Sequence, residues 1–209
     1  MKLSKGTKLL ALGILLVIID QVIKILVKTN MCLGEHFSVI GNWFQILFIE
    51  NEGMAFGMKF GGAVGKACLS IFRIVLCGFL CWWINSLCKR GTDASKDPSK
   101  PAVPTGVLVG LTIITAGALG NIFDCLFYGL VFSESTVIQV AQFGGSYAPF
   151  LFGKVVDMFY FPLFTWPDWV PLIGGDIFFG PVFNFADSCV SVGAVYLLLF
   201  QYKFFSNEE

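Results

Sequence analysis

The sequence predicts an all-α integral membrane protein. It would have four transmembrane helices, a small β-like external segment and a long aromatic external loop, in one membrane-embedded domain over residues 1–209. Three observations predict it. Charged residues make up only 13% of the 209, and hydrophobic residues 56%, against about 25% and roughly 45–50% in a soluble domain. Mean hydropathy is +0.78. Four stretches each approach the roughly 20 apolar residues that a helix needs to cross a bilayer. The zero formal net charge leaves no basic surplus to neutralise phosphates, which excludes the usual kind of nucleic-acid binder. The apolar content also excludes a disordered chain.

The first span is expected over residues 9–27. A basic start (Lys2, Lys5, Lys8) precedes it, as in a signal peptide, but no small-residue cleavage site follows and the apolar pattern resumes after Asp20. It therefore reads as a retained helix. The external stretch Trp43-Phe44-Gln45-Ile46-Leu47-Phe48-Ile49 is β-like, and Glu50-Asn51-Glu52-Gly53 closes it with a turn. The second span covers about 67–87 and the third about 102–123. A polar, Pro-containing connector lies between them. Residues 128–181 form the long loop, whose Phe, Trp, Pro and Gly content suits the headgroup level of a bilayer. The fourth span covers about 183–200.

Lysine and arginine set the orientation. Lys2, Lys5 and Lys8, the connector's Lys89, Arg90, Lys96 and Lys100, and the tail's Lys203 all fall on one side, which is then the cytoplasm. Both termini are cytoplasmic and both long loops external. The seven cysteines include no CxxC pair and read as small packing residues. The single histidine, His36, excludes a multi-histidine metal site.

Ionisable residues inside a span are costly and usually functional. Asp20 and Lys24 lie in the first span, Arg73 in the second, Asp124 at the end of the third and Asp187 near the start of the fourth. With the orientation above, all of them, and Asn51 as well, fall near the external interface. Asn121-Ile122-Phe123-Asp124 and Asn184-Phe185-Ala186-Asp187 share an N-x-x-D spacing, which on a helix puts amide and carboxylate on one face. Gly117, Ala118 and Gly120 permit close helix approach. Two carboxylates at equal depth can share one proton, providing a general base for water and a general acid for a leaving amine. This is aspartic-peptidase chemistry. The alternative is that they bond to helix ends or bind a transported ion. Asp20 and Lys24 have the spacing of an intrahelical ion pair.

The ordered set of these residues resembles the lipoprotein signal peptidases, or signal peptidase II. Asp20-Gln21-Val22-Ile23-Lys24 is similar to the family's D-x-x-x-K. Asn51-Glu52-Gly53-Met54-Ala55-Phe56 is similar to N-x-G-x-A-F. Gly117 to Asp124 is similar to G-G-x-x-G-N-x-x-D, Val155-Val156-Asp157-Met158-Phe159 to V-x-D-F, and Phe183-Asn184-Phe185-Ala186-Asp187 to F-N-x-A-D. The resemblance implies a peptidase of the bacterial inner membrane. It would cut prolipoproteins carrying a diacylglyceryl group, just before the lipidated cysteine, among membrane lipids. It implies no metal or organic cofactor, and globomycin as inhibitor. Asp124 and Asp187 match the catalytic pair. Asn51, Gly53, Ala55, Phe56, Asn121, Asn184, Ala186, Asp20, Lys24 and Arg73 are carried over as substrate-binding or supporting residues. Asp157 is given a structural or substrate-orienting role. Three positions depart from the pattern: Cys125 stands where the family has Arg, Ala118 replaces a Gly, and the stretch between Asp124 and Asp187 is long. A monomer is the default, since no strong dimer motif occurs. The rival reading is a small ion-coupled transporter or channel subunit, but the polar groups cluster at one depth and form no line across the bilayer.

Overall fold

The computed structural model describes residues 4–52, 62–97 and 103–206. The expected residues Gly53, Ala55 and Phe56 lie outside them. Three helical runs are long and apolar enough to cross a membrane: α1 (Lys5–Asn30), α2 (Gly62–Lys96) and Thr105–Val131. The last joins α3 (Thr105–Phe123), a π-helical segment (Asp124–Tyr128) and α4 (Gly129–Val131). Along α1 the exposed Leu10, Ile14, Ile18, Val22 and Leu26 recur every fourth residue, a single apolar stripe suited to lipid.

The fourth expected span is shorter than the sequence suggests. Helix α5 (Phe185–Phe200) has 16 residues, about 24 Å of rise at ~1.5 Å per residue, against ~30 Å of hydrocarbon. It loses its first residues to β-structure. Phe183 exchanges backbone hydrogen bonds with Phe159, 2.7 and 3.1 Å long, which keeps the chain extended up to Asn184. A short α6 (Tyr202–Ser206) follows.

The chain forms two compact units. One is helical, built from Met1–Gln21, Ile71–Ile122 and Ala186–Glu209. Its core gathers Leu9, Leu87, Val107, Leu108, Leu111 and Leu197. Here α3 and the start of α5 pack very closely: a Cβ on Gly117 would run into the backbone carbonyl of Ala186. The small residues singled out in the sequence thus sit at a helix contact, where packing replaces the hydrophobic effect as the driving force within lipid.

The other unit comprises Val22–Ser70 and Phe123–Phe185. It holds an antiparallel sheet in the order β1 (His36–Ile40), β2 (Phe44–Asn51), β3 (Val155–Tyr160). The β-like composition of residues 43–49 therefore becomes β2. Strand β3 falls in the stretch read only as an aromatic loop. Four of its six residues are buried, so Val155-Val156-Asp157-Met158 shows no alternation of apolar and polar residues and gives no period-2 signal. Phe48, Val156 and Met158 have no exposed surface and centre this unit's core, with Met31, Tyr128 and Phe132 around them. A second, two-stranded sheet pairs β4 (Phe164–Thr165) with β5 (Ile177–Phe178).

Candidate active site

In the sheet-bearing unit, antiparallel pairing of β2 with β3 sets Asn51 opposite Val155 and Ile49 opposite Asp157, with a register shift between Ile46 and Ile49. Such irregularities re-aim side chains and are common beside functional sites. The Asp157 carboxylate, 4% exposed, is held by two carboxamides. Asn184 donates from Nδ2 to Oδ1 at 2.6 Å, and Asn51 donates from Nδ2 to Oδ2 at 3.3 Å. Neutral amides orient a carboxylate without cancelling its charge. Asn184 is itself fully buried, fixed by the Phe159–Phe183 bridge one residue before it.

Asp124 opens the π-helical segment, a local irregularity frequent at functional positions. Its Oδ2 lies 2.7 Å from Nζ of Lys24 and accepts the Val156 N–H at 3.3 Å. Neither side chain of the pair has exposed surface. Asp124, expected from the sequence to pair with Asp187 in catalysis, forms a buried ion pair with Lys24. Lys24 was expected to neutralise Asp20 on its own helix, and it pairs with Asp124.

A second buried cation lies one turn along α1. Lys28 pairs with Glu50 and donates to Ser135 Oγ at 2.9 Å, while Ser135 donates to Glu50 at 2.8 Å. Glu50 Oε2 is 3.4 Å from Lys154 Nζ. The Tyr147 hydroxyl accepts the Lys154 N–H at 2.8 Å. Sequence reasoning did not find this group. The only available signal was Glu50 at the end of an apolar strand, and that residue was read as part of a turn.

Burial pushes the Tyr147 phenol well above its usual value, with Glu50 and Asp124 adding to the effect. An acid whose folded value is raised gives stability that is complete below its unfolded value, here 10.0, and lost as pH rises beyond it. Tyr147→Phe should lower stability at neutral pH by about 1 kcal/mol, through the orphaned Lys154 N–H. It should also flatten the loss of stability above pH 10.0. Thermal melts of the detergent-solubilised protein between neutral pH and that range would check both effects.

In the helical unit, Asn121 donates from Nδ2 to Oδ1 of Asp187 at 2.8 Å. Asp187 is partly exposed, in the first turn of α5. Asp20, 1% exposed, accepts the Ala186 N–H at 2.9 Å. That places a carboxylate at the helix N-terminus, where unsatisfied N–H groups and the helix dipole favour negative charge. Gln21 Nε2 donates to the other Asp20 oxygen at 3.1 Å and to the Gly120 carbonyl at 3.2 Å. Gly120 is required here, since a Cβ would lie 2.5 Å from Asp20 Oδ2.

In each N-x-x-D motif the amide reaches a carboxylate outside the motif: Asn121 holds Asp187, and Asn184 holds Asp157. Arg73 is partly buried on α2, and Cys125, in the place of the expected arginine, is 2% exposed. None of the seven cysteines forms a disulfide. Among the described residues no group of three or more His, Cys, Asp or Glu is placed to hold a metal ion.

Comparison with known proteins gives this geometry a context. Residues 12–203 match the model of a family described as signal peptidase (SPase) II. A lipoprotein signal peptidase of Porphyromonas gingivalis is 45% identical over 204 residues, covering 95% of this chain and 84% of that protein. One of Amoebophilus asiaticus is 35% identical over 201 residues, covering 94% and 78%. A bacterial membrane enzyme solved by the in meso method at 2.3 Å shares the fold, with a TM-score of 0.56 at 22% identity, over 97% of this chain and 92% of that one. The buried carboxylates, the amides that hold them and the apolar helices thus belong to a member of the signal peptidase II family, aspartic peptidases of bacterial membranes that cleave signal peptides from prolipoproteins.

Proposed function

We propose that Asp157 and Asp187 are the catalytic carboxylates, and that Asp124 with Lys24 forms the buried ion pair supporting them. The observation that carries this is the contrast in partners. Asp157 is held by the amides of Asn51 and Asn184, while Asp124 is bound to an ammonium and has no exposed surface. A general base must accept a proton from water, and a carboxylate tied to an ammonium is a weaker acceptor than one held by amides. Asn184 precedes Asp187 by three residues, so the chain that fixes one carboxylate carries the other. One of the pair takes a proton from water as it attacks the scissile carbonyl. The other, protonated, donates to the leaving amine. Asn121 and Asn51 keep the carboxylates oriented as the shared proton moves.

The substrate is a prolipoprotein already carrying a diacylglyceryl group, cut before the lipidated cysteine. Such a substrate keeps its acyl chains in the bilayer while its peptide bond must meet water. A site near the external face of the inner membrane serves both needs. The lysine and arginine distribution supports cytoplasmic termini and four crossings, with α5 as the shortest. The family match over residues 12–203 supports a peptidase domain, which we read as a monomer that globomycin would inhibit. The test is cleavage of a lipobox peptide in nanodiscs, with and without the diacylglyceryl group, and with products mapped by mass. Cleavage of the lipidated peptide alone, before its cysteine, is the expected result. Equal cleavage of both peptides would refute the lipid requirement, and proton or ion flux without cleavage would favour the transporter reading.

A further inference from the structure

We propose that the β4–β5 hairpin and its tip form an interfacial anchor that enters the bilayer. Four independent features converge on it. The first is apolar exposure. Trp169 is 81% exposed and Leu172 fully so, and Phe164, Ile173, Phe178 and Phe179 are exposed as well. Exposed apolar clusters of this kind mark an interaction surface. The second is backbone strain. Leu172 and Phe179 have φ of 70° and 62°, the left-handed region that costs a branched or bulky residue about 1–3 kcal/mol. That strain is spent turning apolar side chains outward.

The third feature is a backbone tied together across the tip. Across the tip, Trp166 N–H bonds to Asp176 O at 2.9 Å and Gly175 N–H to Trp166 O at 3.0 Å. Val170, Gly174 and Asp176 donate to Pro167, Val170 and Ile173 at 3.0, 2.9 and 3.0 Å. Pro167 and Pro171 have no N–H to satisfy. Such bonds lower the cost of bringing these backbone groups toward lipid. The fourth is an aromatic base. Phe183 stacks on Phe161 at 5.7 Å and meets Phe179 edge-on at 5.8 Å, which holds the base of the hairpin in place.

Charge identifies how the lipid is held. No lysine or arginine occurs between Lys154 and Lys203, and the tip carries Asp168 and Asp176. Anionic headgroups are therefore not the attraction. The anchor works by burying Trp169 and Leu172, with the two aspartates left at headgroup level, so it sits shallowly and without preference for lipid charge. A tryptophan at this depth is the usual marker of a membrane interface.

The test uses the full chain in nanodiscs. In a variant with Trp43, Trp82, Trp83 and Trp166 changed to Phe, Trp169 emission should be blue-shifted. It should lose most of its intensity when the lipids are brominated high on the acyl chains, equally in zwitterionic and anionic discs. Hydroxyl-radical footprinting of the unmutated protein, read by mass spectrometry, should show Trp169 and Leu172 protected from labelling in the absence of any substrate. Strong labelling of both residues, with Trp169 emission quenched by aqueous iodide and not by bromine, would overturn the proposal. Protection that appears only with substrate would overturn it in favour of a lid, and protection that depends on protein concentration would overturn it in favour of a contact between two copies.

Discussion

Asp157→Asn is expected to lower kcat for the lipidated peptide by roughly 10²–10⁴-fold, the range of a single proton-transferring group, while KM changes little. The substitution is nearly isosteric and leaves one oxygen to accept from an amide, so the fold should survive, as checked by an unchanged thermal melt. Asp187→Asn should have a loss of the same size. The double variant should lose scarcely more than either single one, because the two groups act as a unit. Full activity in Asp157→Asn would remove it from the catalytic pair and return the role to Asp124. Asn51→Ala and Asn184→Ala should give smaller losses, since each leaves Asp157 with its other amide.

Lys24→Met is expected to destabilise the protein by about 3–5 kcal/mol, because it leaves the Asp124 carboxylate buried without its cation. Asp124→Asn should lose a comparable amount by stranding the ammonium. Lys24→Met combined with Asp124→Leu should recover most of that stability, since an apolar pair of similar volume fits where a buried ion pair stood. Chemical unfolding in detergent would read all three. The activity lost by Asp124→Asn should track its lost folded fraction. A variant with a normal melt and no activity would show that Asp124 takes part in the reaction itself.

The helices were legible in the sequence because length and hydropathy alone decide a membrane span. The glycines before Asn121 were legible because close packing needs them, and the positions of Asn51, Asn121, Asn184 and Asp187 followed from an ordered set of motifs. The partners of Asp124 and Asp157 were not. Both are single acids next to apolar residues, and only their partners separate them. Lys24 lies 100 residues before Asp124, and Asn51 lies 106 residues before Asp157. No local pattern reports contacts over such spans. Strand β3 was hidden for the related reason that a strand buried on both faces has no alternation. The cluster of Lys28, Glu50 and Ser135 is likewise a meeting of three distant segments.

The hydrogen bond from Asn184 to Asp157 also bears on how the enzyme is made. Asp157 leaves the ribosome before Asn184, and Asp187 follows only in the last long helix. A nascent chain therefore has the strand that carries one acid well before it has the amide that fixes that acid or the second acid. Strand pairing across more than a hundred residues is also slow to form. On the proposed roles of Asp157 and Asp187, the peptidase is consequently latent until its final long helix has been made.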